Sequence, residues 1–363
     1  MEQIGGHNNQ FGRMLVYQDG VVCHKVAGDE KNAIALRNAA RIQRLLEGKG
    51  LAPIVHETFA GGLEGGIFTV VEDYLGKTGQ VQDGEAFRRA CISFLAQVRA
   101  AGIRHGDLTA PNIIIQQGGA KIMAVDWAES HLLSEPAPQK QPWADSNLLM
   151  RMLYGTPDAA GQMDTPRVAQ RWSAVLGALG AQVHRNENPL PLRGKTFVDY
   201  GCFMGDFPAL AACEGMHAVG VDRWGFRSGE NSIHLGQELW QRLGVTEAVA
   251  AIGGSLTLIE ADVMAGGGDV DVALCFSTWP YLVQDYGEAV ARDFLCSVAM
   301  RSHYFFFETQ LCGDGPGPEF LTTKEEVGLL LESCGYEKVQ ELGTIPVWGR
   351  SASRTVFMGM GRL

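Results

Sequence analysis

The chain consists of short apolar runs separated by polar, glycine-containing turns, and its first half mixes strands with helices. Two β-type runs flank an Asp19-Gly20 turn, which is a strong signal for a hairpin. Apolar positions then recur at helical spacing and place Ile34, Ala39 and Ile42 on one face of a helix. The predicted elements of this half are a hairpin, a helix, a strand and a second helix, over 11–26, 30–47, 66–75 and 84–103.

The second half alternates strands with helices in a regular order. The predicted helices cover 206–214 and 324–333. The predicted strands are short runs rich in β-branched and aromatic residues, over 196–201, 216–221, 256–262, 270–277, 304–308 and 354–358. Strands that alternate with helices in this way indicate an α/β fold with a mostly parallel sheet.

The length of 363 residues corresponds to about two domains of ~150 residues each. Between the two halves, a helix is predicted to begin at Thr165 and to run to about Leu179. A polar, proline-containing connector follows over 185–191. We therefore expect an α+β first domain, a helical linker and an α/β second domain, over 1–155, 156–193 and 194–363.

Charge and cysteine content narrow the classes of function. The formal net charge is −11 and the pI is about 5.3, so general binding to nucleic acid or to an anionic membrane is not expected. The eight cysteines include no C-x-x-C pair, which favours buried thiols over disulfides or a zinc site. No signal sequence is recognisable, and no apolar run approaches the ~20 residues that span a bilayer. We expect a cytoplasmic protein, and the sequence leaves a homo-oligomer open.

The segment 104–127 combines two carboxylates and an amide at the spacing of a phosphoryl-transfer site. Asp107 stands five residues before Asn112, as in the H-x-D-x-x-x-x-N catalytic loop of kinases, and Asp126 follows an apolar strand. Phosphoryl transfer from ATP needs a carboxylate beside the attacking hydroxyl, oxygen ligands for Mg²⁺ and a lysine on the phosphates. Lys25, near the end of the second hairpin strand, is the candidate lysine. The alternative is an ordinary turn between two buried strands.

By these residues, the first half resembles the compact atypical kinases: aminoglycoside phosphotransferases, RIO-type kinases and bacterial lipopolysaccharide sugar kinases. The resemblance implies a protein-kinase-like fold that binds ATP and Mg²⁺. It implies that Asp107 orients and helps to deprotonate the acceptor hydroxyl, and that Lys25 contacts the phosphates. It also implies that Asn112 and Asp126 ligate Mg²⁺, which prefers oxygen ligands.

Two positions depart from the pattern of these kinases. Asn38 stands where the helix normally carries the glutamate that pairs with the lysine. The glycine-rich phosphate loop is reduced to Gly12. These departures concern catalytic competence rather than the fold.

Residues 196–222 form a second motif, in which a buried strand, a glycine turn, a helix and a strand end in Asp222. This order is one nucleotide-binding βαβ half, and Asp222 stands where a carboxylate holds ribose hydroxyls. Gly201 allows the backbone to approach a ligand closely, and Gly205 allows the helix to pack tightly on the strand. The G-x-G-x-x-G fingerprint of dinucleotide-binding enzymes is absent, which disfavours a dehydrogenase.

The form of 197–205 resembles instead that of the class I S-adenosylmethionine-dependent methyltransferases, and the resemblance extends over 190–363. It implies a Rossmann-like, mostly parallel seven-stranded sheet. The residues that it implies in S-adenosylmethionine binding are Asp199, Gly201, Cys202, Gly205, Asp222, Asp262 and Ser277. The segment 278–281 shares a Pro-Tyr pair with the N-P-P-Y motif of DNA amino-methylating enzymes, but the acidic charge argues against a duplex substrate.

Together the two halves resemble the bacterial O-antigen chain-terminating enzymes, which phosphorylate the end of a polysaccharide and then methylate the phosphate. Those enzymes place the methyltransferase domain first, so the domain order of this chain is the reverse. The resemblance implies a bifunctional transferase that phosphorylates a hydroxyl of a small-molecule or glycan acceptor. Methylation of the same acceptor or of its phosphate follows. One alternative is a methyltransferase whose first domain is a non-catalytic nucleotide-binding or partner-recruiting module. Another is a methyltransferase acting on a protein or nucleic acid.

Overall fold

The described residues of the computed structural model fall into two units, Met1–Met152 and Leu153–Leu363. The structure describes residues 1–9, 12–76, 79–106, 108, 112–132, 165–185, 192–223, 232–265, 268–311, 321, 323–346 and 353–361. Among the helices of these ranges, none is both long enough and apolar enough to cross a membrane.

An antiparallel sheet begins the first unit. Its strands are β1 (Glu2–Asn9), β2 (Gly12–Asp19), β3 (Val22–Ala27), β4 (Val55–Ala60) and β5 (Phe68–Asp73). They pair in the order β1-β2-β3-β5-β4. The predicted hairpin is present as β2 and β3, whereas β1 and β4 were not predicted.

Helix α1 (Glu30–Leu45) follows β3, and the Asp29 side chain caps its first turn. The helix packs on the sheet through a small core that includes Leu36. Ile42 is buried as predicted, but Ile34 is 59% exposed, so the buried face is rotated from the predicted one.

The remaining elements of the first unit surround the segment 104–127. They are α2 (Gly84–Ala100), β6 (Ile103–Arg104), β7 (Ile113–Gln116), β8 (Lys121–Ala124) and β9 (His131–Leu132). β7 and β8 form a hairpin, and β6 pairs with β9. These pairings bring the residues before β7 next to those after β8.

The second unit contains a mixed sheet. Its strands are β10 (Thr196–Tyr200), β11 (His217–Asp222), β12 (Ser255–Glu260), β13 (Val270–Phe276), β14 (Ser302–Glu308), β15 (Lys338–Pro346) and β16 (Ser353–Met360). The described strands pair in the order β12-β11-β10-β13-β14-β16-β15. The first five are parallel, and β16 runs antiparallel to both neighbours. β15 was not predicted.

The strand order reverses between β10 and β13. The chain passes outward from β10 to β11 and β12 and then returns to the other side of β10. In open α/β sheets, ligands bind at such a switch point, outside the carboxyl ends of the strands. The expected ligand edge of this sheet is therefore the one beyond Tyr200, Asp222 and Phe276.

Helices cover the sheet of the second unit. They are α3 (Thr165–Arg185), α4 (Asp206–Cys213), α5 (Ser232–Arg242), α6 (Val245–Ala251), α7 (Trp279–Tyr286), α8 (Glu288–Ala299) and α9 (Lys324–Ser333). Helix α3 lies in the segment 156–193, which was predicted to be a linker, and it packs against α4, β15 and β16. Trp172 of α3 is 1% exposed and meets the Phe197 ring edge-on at 5.8 Å. Burial of this indole makes α3 part of the second unit.

Candidate functional site

A cavity of 420 Å³ lies at the carboxyl ends of the parallel strands of the second unit. Its size is within the range of about 300–1,000 Å³ that is usual for small-molecule sites. Of the residues predicted to bind S-adenosylmethionine, Gly201, Asp222 and Ser277 line it. These residues end three neighbouring strands, so the cavity crosses the predicted switch point.

The turn after β10 forms one wall of the cavity. Gly201 has a φ of +84°, and a Cβ built on it would lie 2.1 Å from Oγ1 of Thr278. Only glycine combines this conformation with so close an approach. The N–H of Phe203 donates to Oδ2 of Asp222 at 2.7 Å, and the N–H of Arg223 donates to Oδ1 at 2.8 Å. The carboxylate of Asp222 is therefore held against the turn at the edge of the cavity.

The pKa of Asp222 reflects two opposed effects. Burial raises the pKa, and the N–H groups of Phe203 and Arg223 lower it, with a net shift above the ordinary value. Asp222 accepts two backbone hydrogen bonds and lines the cavity, and its contact with ribose stays a prediction.

Three other predicted cofactor residues pack behind the turn. Asp199 is 2% exposed, and burial raises its pKa well above the ordinary value, assisted by the charge of Asp222. The thiol of Cys202 fills the space beside Gly220, where a Cβ would lie 2.7 Å from the sulfur. Gly205 is the N-cap residue immediately before α4 and has a φ of +86°. Among the described residues, these three do not line the cavity, and their direct contact with a cofactor stays a prediction.

Asp262 contacts a residue that lines the cavity. It lies two residues beyond the end of β12, and its Oδ2 accepts a hydrogen bond from the hydroxyl of Tyr286, which lines the cavity. An ion pair between Arg223 and Asp285 lines the same wall. The predicted contact of Asp262 with adenine stays a prediction.

A buried ion cluster stands behind the other end of the cavity. Glu308, at the end of β14, is fully buried and forms ion pairs with Arg171 of α3 and Arg354 of β16. Arg354 also donates through Nη1 to Oγ of Ser277, which has a φ of +60°. Arg354 and Ser277 line the cavity. Sequence reasoning missed both arginines, because they are distant in the chain from Glu308 and belong to no motif.

In the first unit, Lys25 has a partner that sequence reasoning did not identify. Its Nζ lies 2.7 Å from Oε1 of Glu72 on β5, and Glu72 is 2% exposed. Gln43 of α1 donates to the other oxygen of Glu72 at 2.8 Å. The glutamate expected on the helix is therefore supplied by a neighbouring strand, and the helix contributes an amide.

Asn38 has a different role from pairing with the lysine. Its Nδ2 donates to the carbonyl oxygens of Ala128 and Ser130, at 3.0 and 2.6 Å. Asn38 thus attaches α1 to the turn that follows Asp126. This arrangement accounts for an amide at a position where an acid was expected.

The predicted metal ligands of the first unit lie on adjacent segments. The N–H of Val125 donates to the carbonyl oxygen of Asn112 at 2.9 Å, which places Asn112 beside the residue before Asp126. Asp126 is exposed and has a φ of +60°. Burial lowers the pKa of Lys25, but the carboxylates of Glu72 and Asp126 overcome this effect and raise it above the ordinary value. Asp126 therefore lies within electrostatic range of Lys25.

Asp107 lies outside the described residues, but the structure describes His105 and Gly106, which precede it in the sequence. The imidazole of His105 bonds to the carbonyl oxygen of Val125 at 3.0 Å and packs against Trp127 with 4.4 Å between ring centroids. Gly106 has a φ of +84°, and a Cβ there would lie 2.5 Å from the carbonyl oxygen of Glu129. These contacts hold the beginning of the predicted catalytic loop against the segment that carries Asp126.

Comparisons by sequence identify no relative: no known family profile matches the chain, and no curated protein does. Solved structures give weak matches. A structure of WbdD with the kinase inhibitor LY294002 is 17% identical, at a TM-score of 0.41, over 57% of this chain and 44% of that chain. A structure of the bifunctional kinase-methyltransferase WbdD is 17% identical, at a TM-score of 0.41, over 57% of this chain and 42% of that chain.

Magnesium protoporphyrin IX methyltransferase (ChlM) from Synechocystis PCC 6803 with bound SAM is also similar. It is 17% identical at a TM-score of 0.38, over 58% of this chain and 89% of that chain. The aligned part is less than half the length of the WbdD chains. Similarity at this level identifies neither an activity nor a substrate of this chain.

Proposed function

We propose that the second unit transfers a methyl group from S-adenosylmethionine and that the first unit transfers a phosphoryl group from ATP. In this proposal, the two units act on the same small-molecule or glycan acceptor. The methyl group goes to the acceptor or to the phosphate added by the first unit.

One observation carries the methyltransferase proposal: the carboxylate of Asp222 is fixed at the switch-point cavity. A carboxylate at the end of the second strand is suited to accept hydrogen bonds from ribose hydroxyls. The turn at Gly201 leaves no room for a side chain, so a ligand can approach its backbone. The cavity has the size of a small-molecule site, and the motif at 197–205 lacks the G-x-G-x-x-G sequence of a pyrophosphate loop, which fits S-adenosylmethionine better than a dinucleotide.

The chemistry in this site is mainly positioning. S-adenosylmethionine, when bound, supplies an activated methyl group. The residues of this chain then need to hold the cofactor and the acceptor in line and to exclude water. The buried walls formed by Phe276 and Leu282 are suited to exclude water from the cavity.

The kinase proposal is supported by the relation of Lys25 to two carboxylates. Glu72 holds the ammonium group in place, as the lysine of a phosphoryl-transfer site requires. Asp126 and Asn112 provide oxygen ligands on adjacent segments, which suit Mg²⁺. In this proposal Asp107 orients the attacking hydroxyl of the acceptor.

The second candidate is a first unit that binds a nucleotide without catalysis. It is favoured by the reduced glycine loop at Gly12 and by Asn38, which attaches α1 to a turn instead of pairing with Lys25. The two candidates differ in phosphate transfer to an acceptor and not in nucleotide binding.

Calorimetric titration of the full chain tests the proposal. We expect S-adenosylmethionine to bind and its affinity to fall by about tenfold or more in Asp222→Ala, because charge-assisted hydrogen bonds are lost. We expect Mg²⁺-ATP to bind and this binding to be lost in Asp126→Ala. Glu332→Ala and Glu57→Ala are matched controls, since each removes an exposed carboxylate from the same unit.

The outcomes separate the candidates. Binding of S-adenosylmethionine without any Mg²⁺-ATP binding would refute the kinase proposal and leave the methyltransferase. Mg²⁺-ATP binding without phosphate transfer in an acceptor screen would favour the non-catalytic module. Failure to bind S-adenosylmethionine would refute the methyltransferase proposal.

A further inference from the structure

We propose that the end of the cavity at Arg354 is the acceptor subsite and that it binds an oxyanion, so that the acceptor is anchored by a carboxylate or a phosphate. This inference rests on the proposed methyltransferase function. It adds to that function the chemical class of the acceptor and the residue that selects it.

The position of Arg354 separates it from the ribose end of the cavity. Asp222 ends β11, Ser277 follows β13, and Arg354 is on β16. Four strand spacings separate β11 from β16 in the sheet order. At about 4.8 Å per spacing, the backbones of the two strands are roughly 19 Å apart, and the guanidinium of Arg354, which contacts Ser277 after β13, lies roughly 10 Å from the end of β11. A cofactor with its ribose at Asp222 therefore leaves the Arg354 end for the second substrate.

The ion cluster places a positively charged group, the guanidinium of Arg354, at this end of the cavity. The two guanidinium groups of Arg171 and Arg354 are always charged, and they share the one carboxylate of Glu308. Arg171 has a second acid, Asp199, within electrostatic range. Among the described residues, Glu308 is the one acid that contacts Arg354. Arg354 thus shares this acid with Arg171, and its guanidinium group is the positive group of the cluster that lines the cavity.

The hydrogen bonds of Arg354 leave donors for a ligand. Its Nη1 donates to Oε1 of Glu308 at 3.1 Å and to Oγ of Ser277. Over the described ranges, Nη2 donates to no protein atom, and the side chain is 18% exposed. A guanidinium group matches the spacing of carboxylate and phosphate oxygens. Glu308 and Ser277 fix its orientation, so little conformational freedom is lost when an anion binds.

Anion binding to the full chain loaded with S-adenosylhomocysteine tests this inference. Inorganic phosphate and acetate are the two probes, and each is titrated calorimetrically into wild type and into Arg354→Gln and Arg354→Lys. Arg292→Gln is the matched control, because Arg292 is a half-exposed arginine of α8 in the same unit. The affinity for S-adenosylhomocysteine is measured first in every variant.

We expect one of the two probes to bind wild type and to bind about tenfold or more weakly to Arg354→Gln. Arg354→Lys keeps the charge but not the paired donors, so its affinity should be intermediate. The probe that binds more tightly distinguishes a phosphate acceptor from a carboxylate acceptor. The affinity for S-adenosylhomocysteine should stay within about threefold of wild type in all variants, since Arg354 lies away from the ribose end.

Three results would overturn the inference. The first is that neither probe binds wild type, and the second is that loss of the Arg354 guanidinium leaves anion affinity unchanged. The third is that Arg354→Gln weakens S-adenosylhomocysteine binding as much as it weakens anion binding, which would mean that Arg354 holds the carboxylate of the cofactor. If wild type does not bind S-adenosylhomocysteine, the proposed function itself fails and this inference fails with it. If Arg354→Gln does not fold, the comparison of Arg354→Lys with wild type decides.

Discussion

Replacement of Glu308 by glutamine measures how strongly the buried ion cluster stabilises the second unit. Glu308 is fully buried, and its carboxylate forms ion pairs with the guanidinium groups of Arg171 and Arg354. Glutamine has nearly the same size but no charge, so Glu308→Gln deprives the buried Arg171 and the partly buried Arg354 of the carboxylate that they share. Removal of one partner from a buried pair costs about 3–5 kcal/mol. We therefore expect the free energy of unfolding of the second unit to fall by about 3 kcal/mol or more.

Hydrogen exchange at the amides of β14 is the appropriate assay, because it reports on the second unit separately from the first. A loss of about 3 kcal/mol corresponds to exchange that is roughly a hundredfold faster. Glu341→Gln is the matched control: Glu341 pairs with Lys324, and the two side chains are 44% and 40% exposed. Exposed pairs contribute about 0–1 kcal/mol, so exchange in the control should change little.

A second variant separates the loss of charge from a general loss of packing. Addition of Arg171→Met to Glu308→Gln removes one of the two guanidinium groups that have lost Glu308, so part of the protection of β14 should return. Exchange less than about fivefold faster in Glu308→Gln would refute the reasoning. It would mean that water solvates both guanidinium groups once the carboxylate is gone.

Three further changes test other parts of the structure. Gly201→Ala should weaken S-adenosylmethionine binding by about tenfold or more, since a Cβ there would lie 2.1 Å from Oγ1 of Thr278. Calorimetric titration checks this, with Gly177→Ala as the control because the space around Gly177 is open. Burial raises the pKa of Asp199, so the neutral form stabilises the fold below the unfolded pKa of about 3.9, and this stabilisation is lost as the pH rises through the folded pKa. Asp199→Asn should thus raise the midpoint of urea unfolding of the second unit at pH 8 but not at pH 3.5. Equal midpoints for the variant and wild type at pH 8 would contradict a pKa raised by burial. Glu72→Gln should weaken Mg²⁺-ATP binding about tenfold by releasing Lys25, and unchanged calorimetric affinity would show that Glu72 does not position it.

Local patterns allowed most elements to be predicted from the sequence. The helix at 324–333 matches α9, because a Thr323 capping box marks its start. The strand, glycine turn, helix and strand from Thr196 to Asp222 were also predictable, since these elements are adjacent in the chain. Strands β1, β4 and β15 lack clear period-two alternation, and they are recognised through the partners with which they pair.

The arrangement of side chains was less predictable than the elements. Glu72 contacts Lys25 because β3 pairs with β5 in a register that places Cys23 opposite Glu72. No local signal determines that register. Arg171 and Arg354 meet at Glu308 for the same reason, since three elements from distant parts of the sequence converge there. Sequence reasoning identified the acids that end strands and missed the arginines that neutralise one of them.

The position of β16 in the sheet has a consequence for synthesis of the chain. β14 pairs with β16, and β15, which is made between them, occupies the position beyond β16. A growing chain that has emerged only as far as β15 therefore presents the unpaired edge of β14, with the apolar Phe305, Phe306 and Phe307. Unpaired apolar edges recruit other strands. The edge of β14 thus stays open to other strands until the chain from Ser353 onward is free to pair with it.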